Sequence, residues 1–299
     1  MNGKSYWLDG SPEPAWREWL SRLPAAKRDV YLDPAYARLY IESGGRAACY
    51  IFTQAEHVYL YPFIMRPVPD IPGYFDITTP YGYGGPVSDT EEPAFLQEAQ
   101  RCFYAEASRR KIVAEVIKFH PLLNNQAPLQ GIFPGRIVEV CPTVFVDIDQ
   151  DEGHRWTGIY SHANRKNINK AKRNDISARF DQLAESWRAF QSLYELTMID
   201  NQASGFYRFS PEYFDSIRKH MSAQYILASC VLKGDIISSL LVLLGTDFAY
   251  CHLIGTNREL MGTGVNNLLH HELILWCKEK GYKKLLIGGG RTNLTDDTL

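Results

Sequence analysis

The apolar positions along this chain change their period several times, and each change marks an element. Trp16, Trp19, Leu20 and Leu23 recur at three- and four-residue spacing, which predicts a short helix over 13–23. Asp33-Pro34 combines a side-chain cap acceptor with a fixed φ, and predicts a second helix start. Two β-rich runs, 47–53 and 57–65, predict strands joined tightly through Gln54-Ala55-Glu56. Leu96, Ala99, Phe103 and Ala107 are in helical phase over 92–110. Strands are expected over 112–119 and 136–147, around a loop at Asn124-Asn125-Gln126.

The second half repeats this rhythm. Helices are predicted over 161–173 and 182–200, the latter with Leu183, Trp187, Phe190 and Tyr194 on one face. Ser210-Pro211-Glu212 starts another. Three strands, 224–232, 236–245 and 248–255, are separated by Lys233-Gly234-Asp235 and Thr246-Asp247. Turns that short join antiparallel neighbours, so the three form a meander. After Gly262-Thr263-Gly264 comes a helix over 265–280, with Val265, Leu268, Leu269 and Trp276 in its apolar stripe. A strand at 285–287 runs into Gly288-Gly289-Gly290. Each half thus reads helices, antiparallel strands, helix, strand, which is an α+β plan. Asp147, Asp149, Asp151 and Glu152 mark the natural boundary, giving expected domains 1–150 and 151–299.

Charge and composition narrow the function. The 299 residues carry a formal net charge of −2, so nucleic-acid binding would need a local patch. Such a patch exists: Arg165, Lys166, Lys170, Lys172 and Arg173 lie in a stretch without acids. Lys166, Lys170 and Arg173 share one helical face, suited to phosphates or simply to solvent. The six cysteines form no C-x-x-C pair and keep no zinc-like spacing with histidine, so buried thiols are expected and no metal. The N-terminus lacks the apolar region of a signal peptide, and the longest apolar run, 236–244, falls far short of the ~20 residues of a membrane span. A cytoplasmic protein without a transmembrane segment is expected. Nucleophile-elbow, Walker A and Rossmann fingerprints are absent.

Two glycine-rich places carry candidate chemistry. Residues 74–86, with Tyr81, Gly82, Tyr83, Gly84 and Gly85, allow close backbone approach to a ligand or a tight local turn. Gly262 and Gly264 precede a helix, whose first amides and dipole favour an anion such as a pyrophosphate; a plain helix entry is the other reading. Asp76 and His252 are the candidate bases, and Tyr81 and Tyr83 candidate acceptor contacts. His270 and His271 are adjacent in a helix and point apart, which does not suit a metal pair.

The strand–loop–helix from Cys251 to Gly264 resembles the GNAT superfamily, in which the cofactor's pyrophosphate lies over an R/Q-x-x-G-x-G/A loop at the start of the helix after the fourth core strand. Arg258 stands four residues before Gly262 and Glu259 holds the expected place, a departure that weakens the case for acetyl-CoA as donor. Three stretches are similar to Fem-type (FemAB-like) proteins, which include aminoacyltransferases of peptidoglycan bridge formation: Asp76 through Pro86, the basic helix from Ser161 to Arg173, and Gly255 through Gly290. The resemblance implies two tandem GNAT-like domains with mixed, mainly antiparallel sheets flanked by helices. In the family the closing glycines lead into a Phe-Lys-containing strand. Here Thr292 to Leu299 follow, so the last core strand of the second domain is expected to be missing.

The implied activity is transfer of an acyl or aminoacyl group from acyl-CoA or aminoacyl-tRNA to an amino group of a cell-envelope precursor or nucleotide-linked sugar. The donor is a co-substrate and no cofactor is tightly bound. Asn257, Arg258, Gly262, Gly264 and Asn266 would meet the donor; Tyr81, Tyr83, Arg165, Lys166, Lys170 and Arg173 would meet substrate, tRNA included. The competing reading is a non-catalytic GNAT-derived module that binds a nucleotide-linked ligand or a protein partner. Oligomeric state is not legible in the residues.

Overall fold

The computed structural model describes residues 3–9, 13–41 and 44–289. They fall into two compact units, Met1–Val140 and Cys141–Leu299.

The first unit runs β1 (Lys4–Asp9), α1 (Glu13–Arg22), α2 (Pro34–Arg38), β2 (Arg46–Gln54), β3 (His57–Pro67), β4 (Phe75–Thr78), β5 (Val87–Ser88), α3 (Pro93–Arg109) and β6 (Ile112–Val116). Its strands lie in the order β1-β2-β3-β4-β6, with β5 on β3. Alternation decides the layering. Ala48, Tyr50 and Phe52 of β2 pack with Phe95, Leu96, Ala99 and Phe103 of α3. Ala47, Cys49 and Ile51 pack with Trp16 and Leu20 of α1. A strand covered on both faces needs apolar residues at every position, which is why β2 and β3 read as continuous runs. Asp33 does cap α2, accepting from the Ala35 amide at 2.8 Å.

The second unit runs β7 (Thr143–Asp147), α4 (Glu152–His154) continuing into a π-helical turn (Arg155–Ile159), α5 (His162–Arg173), β8 (Ser177–Asp181), α6 (Ala184–Asp200), α7 (Pro211–His220), β9 (Tyr225–Leu232), β10 (Asp235–Leu244), β11 (Phe248–Thr256), α8 (Val265–Glu279) and β12 (Lys284–Gly289). The strand order is β7-β12-β11-β10-β9-β8. One face packs Leu240, Val242 and Ala249 against Val265, Leu268, Leu269 and Leu273 of α8 and Ile168 of α5. α6 lies on β10 and β11.

The units share a plan. Three successive antiparallel strands are followed by a helix and by a strand parallel to the third. These are β2-β3-β4-α3-β6 in one unit and β9-β10-β11-α8-β12 in the other. Short strands β1, β4, β5 and β8 lie outside the sequence reading. Of the expected strand 136–147 only β7 forms, and it pairs antiparallel with β12. That pairing draws residues 141–147 into the second unit, so the division falls at 140/141 where the charge cluster suggests 150/151. The expected loss of a closing strand concerns residues 290–299, outside the described residues.

Candidate functional site

The repeated plan differs between the units at its parallel strand pair. In the first unit the parallel pair β4/β6 is closed from Phe75↔Ile112 to Thr78↔Val116. It stays closed beyond, with Thr79 N donating to Val116 O at 3.2 Å and Gly84 N to Lys118 O at 2.9 Å. In the second unit β11 and β12 pair only at Phe248↔Lys284, Ala249↔Leu285 and Tyr250↔Leu286. β11 runs on to Thr256 and β12 to Gly289 with no further ladder between them among the described residues. A bulge marks the parting: Leu241 faces Leu253 and Val242 faces Cys251, so His252 is the extra residue of β11. A bulge bends its strand and sharpens its twist, which turns β11 away from a straight neighbour. The result is a wedge between two parallel strands, bordered by main-chain groups of residues 251–256.

Past the wedge, a 3-10 turn (Arg258–Thr263) leads into α8. Asn257 caps this turn by accepting from the Glu259 amide at 3.0 Å. Gly264 takes φ +85°, and a Cβ there would lie 2.3 Å from the carbonyl oxygen of Asn167 on α5. That side of the α8 N-terminus is therefore filled by protein, and the need for glycine at 264 is helix–helix contact. Gly262 is different: a Cβ there would meet nothing within 4 Å. Its carbonyl accepts from Lys170 Nζ at 2.6 Å, which brings the basic helix to the glycine turn. Asn266 Oδ1 accepts from Ser238 Oγ (3.0 Å) and Thr256 Oγ1 (2.9 Å), tying α8 to the ends of β10 and β11. Arg258 is largely in solvent, 4.0 Å from Asp200. With Leu193, Leu196, Thr256 and Asn257 these two border an open hollow of about 640 Å³ at the end of β11.

The cations of α5 divide into two groups. Arg165 Nη1 donates to the carbonyls of Trp156 (2.9 Å), Thr157 (3.3 Å) and Tyr160 (2.5 Å). These are end carbonyls of the π-helical turn, so Arg165, read from the sequence as a substrate contact, is a structural clamp. Lys172 pairs with Glu272 of α8 at 3.0 Å. Lys166, Lys170 and Arg173 remain exposed on one face, and only Lys170 has a partner among the described residues.

On β11 the His252 Nε2 lies 2.7 Å from the hydroxyl of Tyr213 on α7. Burial pushes the imidazole down to about 3, so it is neutral at ordinary pH and a weak proton acceptor. Tyr213 was invisible to sequence reasoning, since nothing local links α7 to a strand 39 residues away. The nearby thiols are unsuited to attack. Burial raises Cys230 and Cys277 to about 12, and Cys251 further, which keeps them protonated.

The remaining candidates lie in the first unit. Arg66 engages both oxygens of Asp76, at 2.8 and 3.1 Å, across the β3–β4 pair. The carboxylate expected as a base is the partner of a bidentate guanidinium. Tyr81 packs on Tyr40 and its carbonyl accepts from Tyr36 Oη at 2.6 Å. Tyr83 packs edge-on against Tyr31 and His120. Gly82 and Gly85 both take positive φ, and a Cβ on Gly82 would lie 2.6 Å from the Tyr31 ring. The loop is thus shaped by close packing.

Three antiparallel strands, a crossover helix and a fourth strand that runs parallel to the third, and parts from it in the second unit, define the class: an α+β protein of two GNAT-like units. Residues 161–294 match the family model described as Acetyltransferase (GNAT) domain. That match lies within the second unit, and the whole chain has a FemAB-like fold of two GNAT-like units. The structure of FemX superposes with a TM-score of 0.73 at 11% identity, covering 100% of this chain and 91% of that one. A conserved protein of unknown function from Bacteroides thetaiotaomicron gives 0.62 at 11% identity, covering 96% and 91%. The C-terminal domain of a putative lysylphosphatidylglycerol synthetase from Agrobacterium fabrum gives 0.57 at 13%, covering 92% and 79%. No curated protein sequence matches. No helix among the described residues is long and apolar enough to cross a membrane.

Proposed function

We propose that the protein is an N-acyltransferase whose second unit holds an acyl-CoA in the wedge between β11 and β12, and whose acceptor is an amino group of a cell-envelope precursor or nucleotide-linked sugar. The parted strands carry this reading: the opening at Cys251 is where the second unit departs from the closed first unit. An extended acyl arm laid along residues 251–256 would use main-chain groups that the sheet leaves unladdered, as an added strand does. The amine's lone pair attacks the thioester carbonyl and a C–N bond forms. The carbonyl oxygen becomes an oxyanion held by a main-chain N–H of the parted stretch. The C–S bond then breaks, and the thiolate takes up the proton that the amine gives up. Such a donor contributes on the order of 10²–10³ in rate. His252, neutral and bonded to Tyr213, positions that hydroxyl beside the wedge. Gly262 and Arg258, open to solvent, are the proposed donor-phosphate contacts.

A second reading, aminoacyl-tRNA as donor, is favoured by the exposed face of Lys166, Lys170 and Arg173. Mass-spectrometric transfer assays with acyl-CoAs, charged tRNA and nucleotide-linked amino sugars decide. N-acylated product and thermal stabilisation with acyl-CoA are expected. Product from charged tRNA alone overturns the donor assignment. Stabilisation without any product supports the binding module instead.

A further inference from the structure

The stripe Gln191, Tyr194, Glu195, Met198 and Ile199 recurs along one face of α6 at helical spacing. The segment leading into α7 does not fill it. Tyr194 Oη donates to Tyr207 O at 2.7 Å and ties the segment to the helix, leaving a pocket of about 260 Å³. Its apolar lining is Met198, Phe209 and Phe214 with the more exposed Ile199, and among the described residues charge enters only through Glu195 and Arg208. Both charged side chains are exposed, and neither has an ion-pair or hydrogen-bond partner among the described residues. The pocket is joined to the wedge by one short relay. The Phe209 ring stacks on Tyr213 at 4.2 Å and 17°, and the Tyr213 hydroxyl lies 2.7 Å from His252 at the bulge.

We infer that this pocket is a second binding site of the unit, and that it takes an α-amino acid with an apolar side chain and a free carboxylate. The apolar lining receives the side chain, Arg208 pairs with the carboxylate, and Glu195 pairs with the ammonium. An apolar site with a few converging polar groups is the usual form of a small-ligand pocket. Arg presents a planar fork matched to a carboxylate, and a lining with one cation and one anion suits a zwitterion better than a fatty acid or a simple amine. The volume lies just below the 300–1,000 Å³ common for drug-sized ligands, which suits a single amino acid. The label of acceptor site rests on the transferase reading; the binding itself does not.

The test is ligand-observed NMR titration of the whole chain, without donor, using L-leucine, glycine, leucinamide and isocaproate. Leucine binds; glycine lacks the apolar group, and leucinamide and isocaproate each lack one charge. Each is expected to bind roughly tenfold more weakly or worse, the scale of one charge-assisted hydrogen bond or of one buried aliphatic side chain. Arg208→Gln removes the preference for leucine over leucinamide, and Glu195→Gln that over isocaproate. Ile199→Trp crowds the apolar lining and abolishes leucine binding. Because 195, 199 and 208 are exposed, circular dichroism should match the parent for all three. Equal binding of leucine and leucinamide, of leucine and glycine, or of leucine by parent and Ile199→Trp overturns the assignment. Leucine binding with no acyl product in the transfer assay refutes the transferase reading alone. Acyl product on other amines with no leucine binding refutes this inference alone.

Discussion

His252 combines two properties that seldom meet: it is the extra residue of a bulge, and its imidazole is kept neutral by burial. His270 and His271 on α8 are also lowered, again mainly by burial. The sign of the consequence follows directly. A histidine whose folded value lies below the unfolded one of ~6.5 binds fewer protons when folded, so stability is full above that value and falls as the pH drops toward the folded one. Chemical denaturation at pH 7 and pH 5 should therefore show the protein losing stability at the lower pH. His252→Asn should lose less, by at most about 1.4 kcal/mol per pH unit, the limit for one proton. Equal losses in parent and variant would mean that the imidazole is solvated. Function at this scale is hard to read from sequence. His252 is visible as a histidine on an apolar strand, but its partner Tyr213 and the bulge that re-aims it come from pairings between distant segments.

At the scale of elements, three glycines of the β11–α8 connection look alike in the sequence and behave differently in the structure. A Cβ on Gly255 would lie 2.3 Å from the Tyr194 amide nitrogen, and one on Gly264 an equal 2.3 Å from Asn167 O. Both neighbours are backbone of packed helices and cannot turn aside. Gly262 has open space and no positive φ. Gly255→Ala and Gly264→Ala should each cost about 2 kcal/mol or more, the scale of overpacking and left-handed strain. Gly262→Ala should change stability by less than about 0.5 kcal/mol while raising the KM for the donor. Thermal melts with donor titrations check both; an unchanged KM would remove Gly262 from the donor site. A helix entry marked by glycines was legible, but which glycine faces a helix and which faces solvent depends on α5 lying beside α8, and the sequence does not state that. The same dependence hides Arg165, whose cation serves carbonyls five to nine residues before it.

For the whole molecule, the α+β plan was legible because its signals are local: helical stripes in α3, α6 and α8, and short turns in the β9-β10-β11 meander. The short strands β1, β4 and β8 and the pairing of β7 with β12 were not, since four- to six-residue strands acquire their identity from partners elsewhere in the chain. The central claim is a comparison that only paired strands can provide: one plan twice, closed in one copy and open in the other. Its most direct measurement is hydrogen exchange followed by mass spectrometry, with and without a non-hydrolysable acyl-CoA analogue. The account predicts new protection in peptides covering 251–256 and 287–289, with 75–78 and 112–116 unchanged. Protection at β4 and β6 instead, or none at the parted strands under saturating analogue, would contradict it.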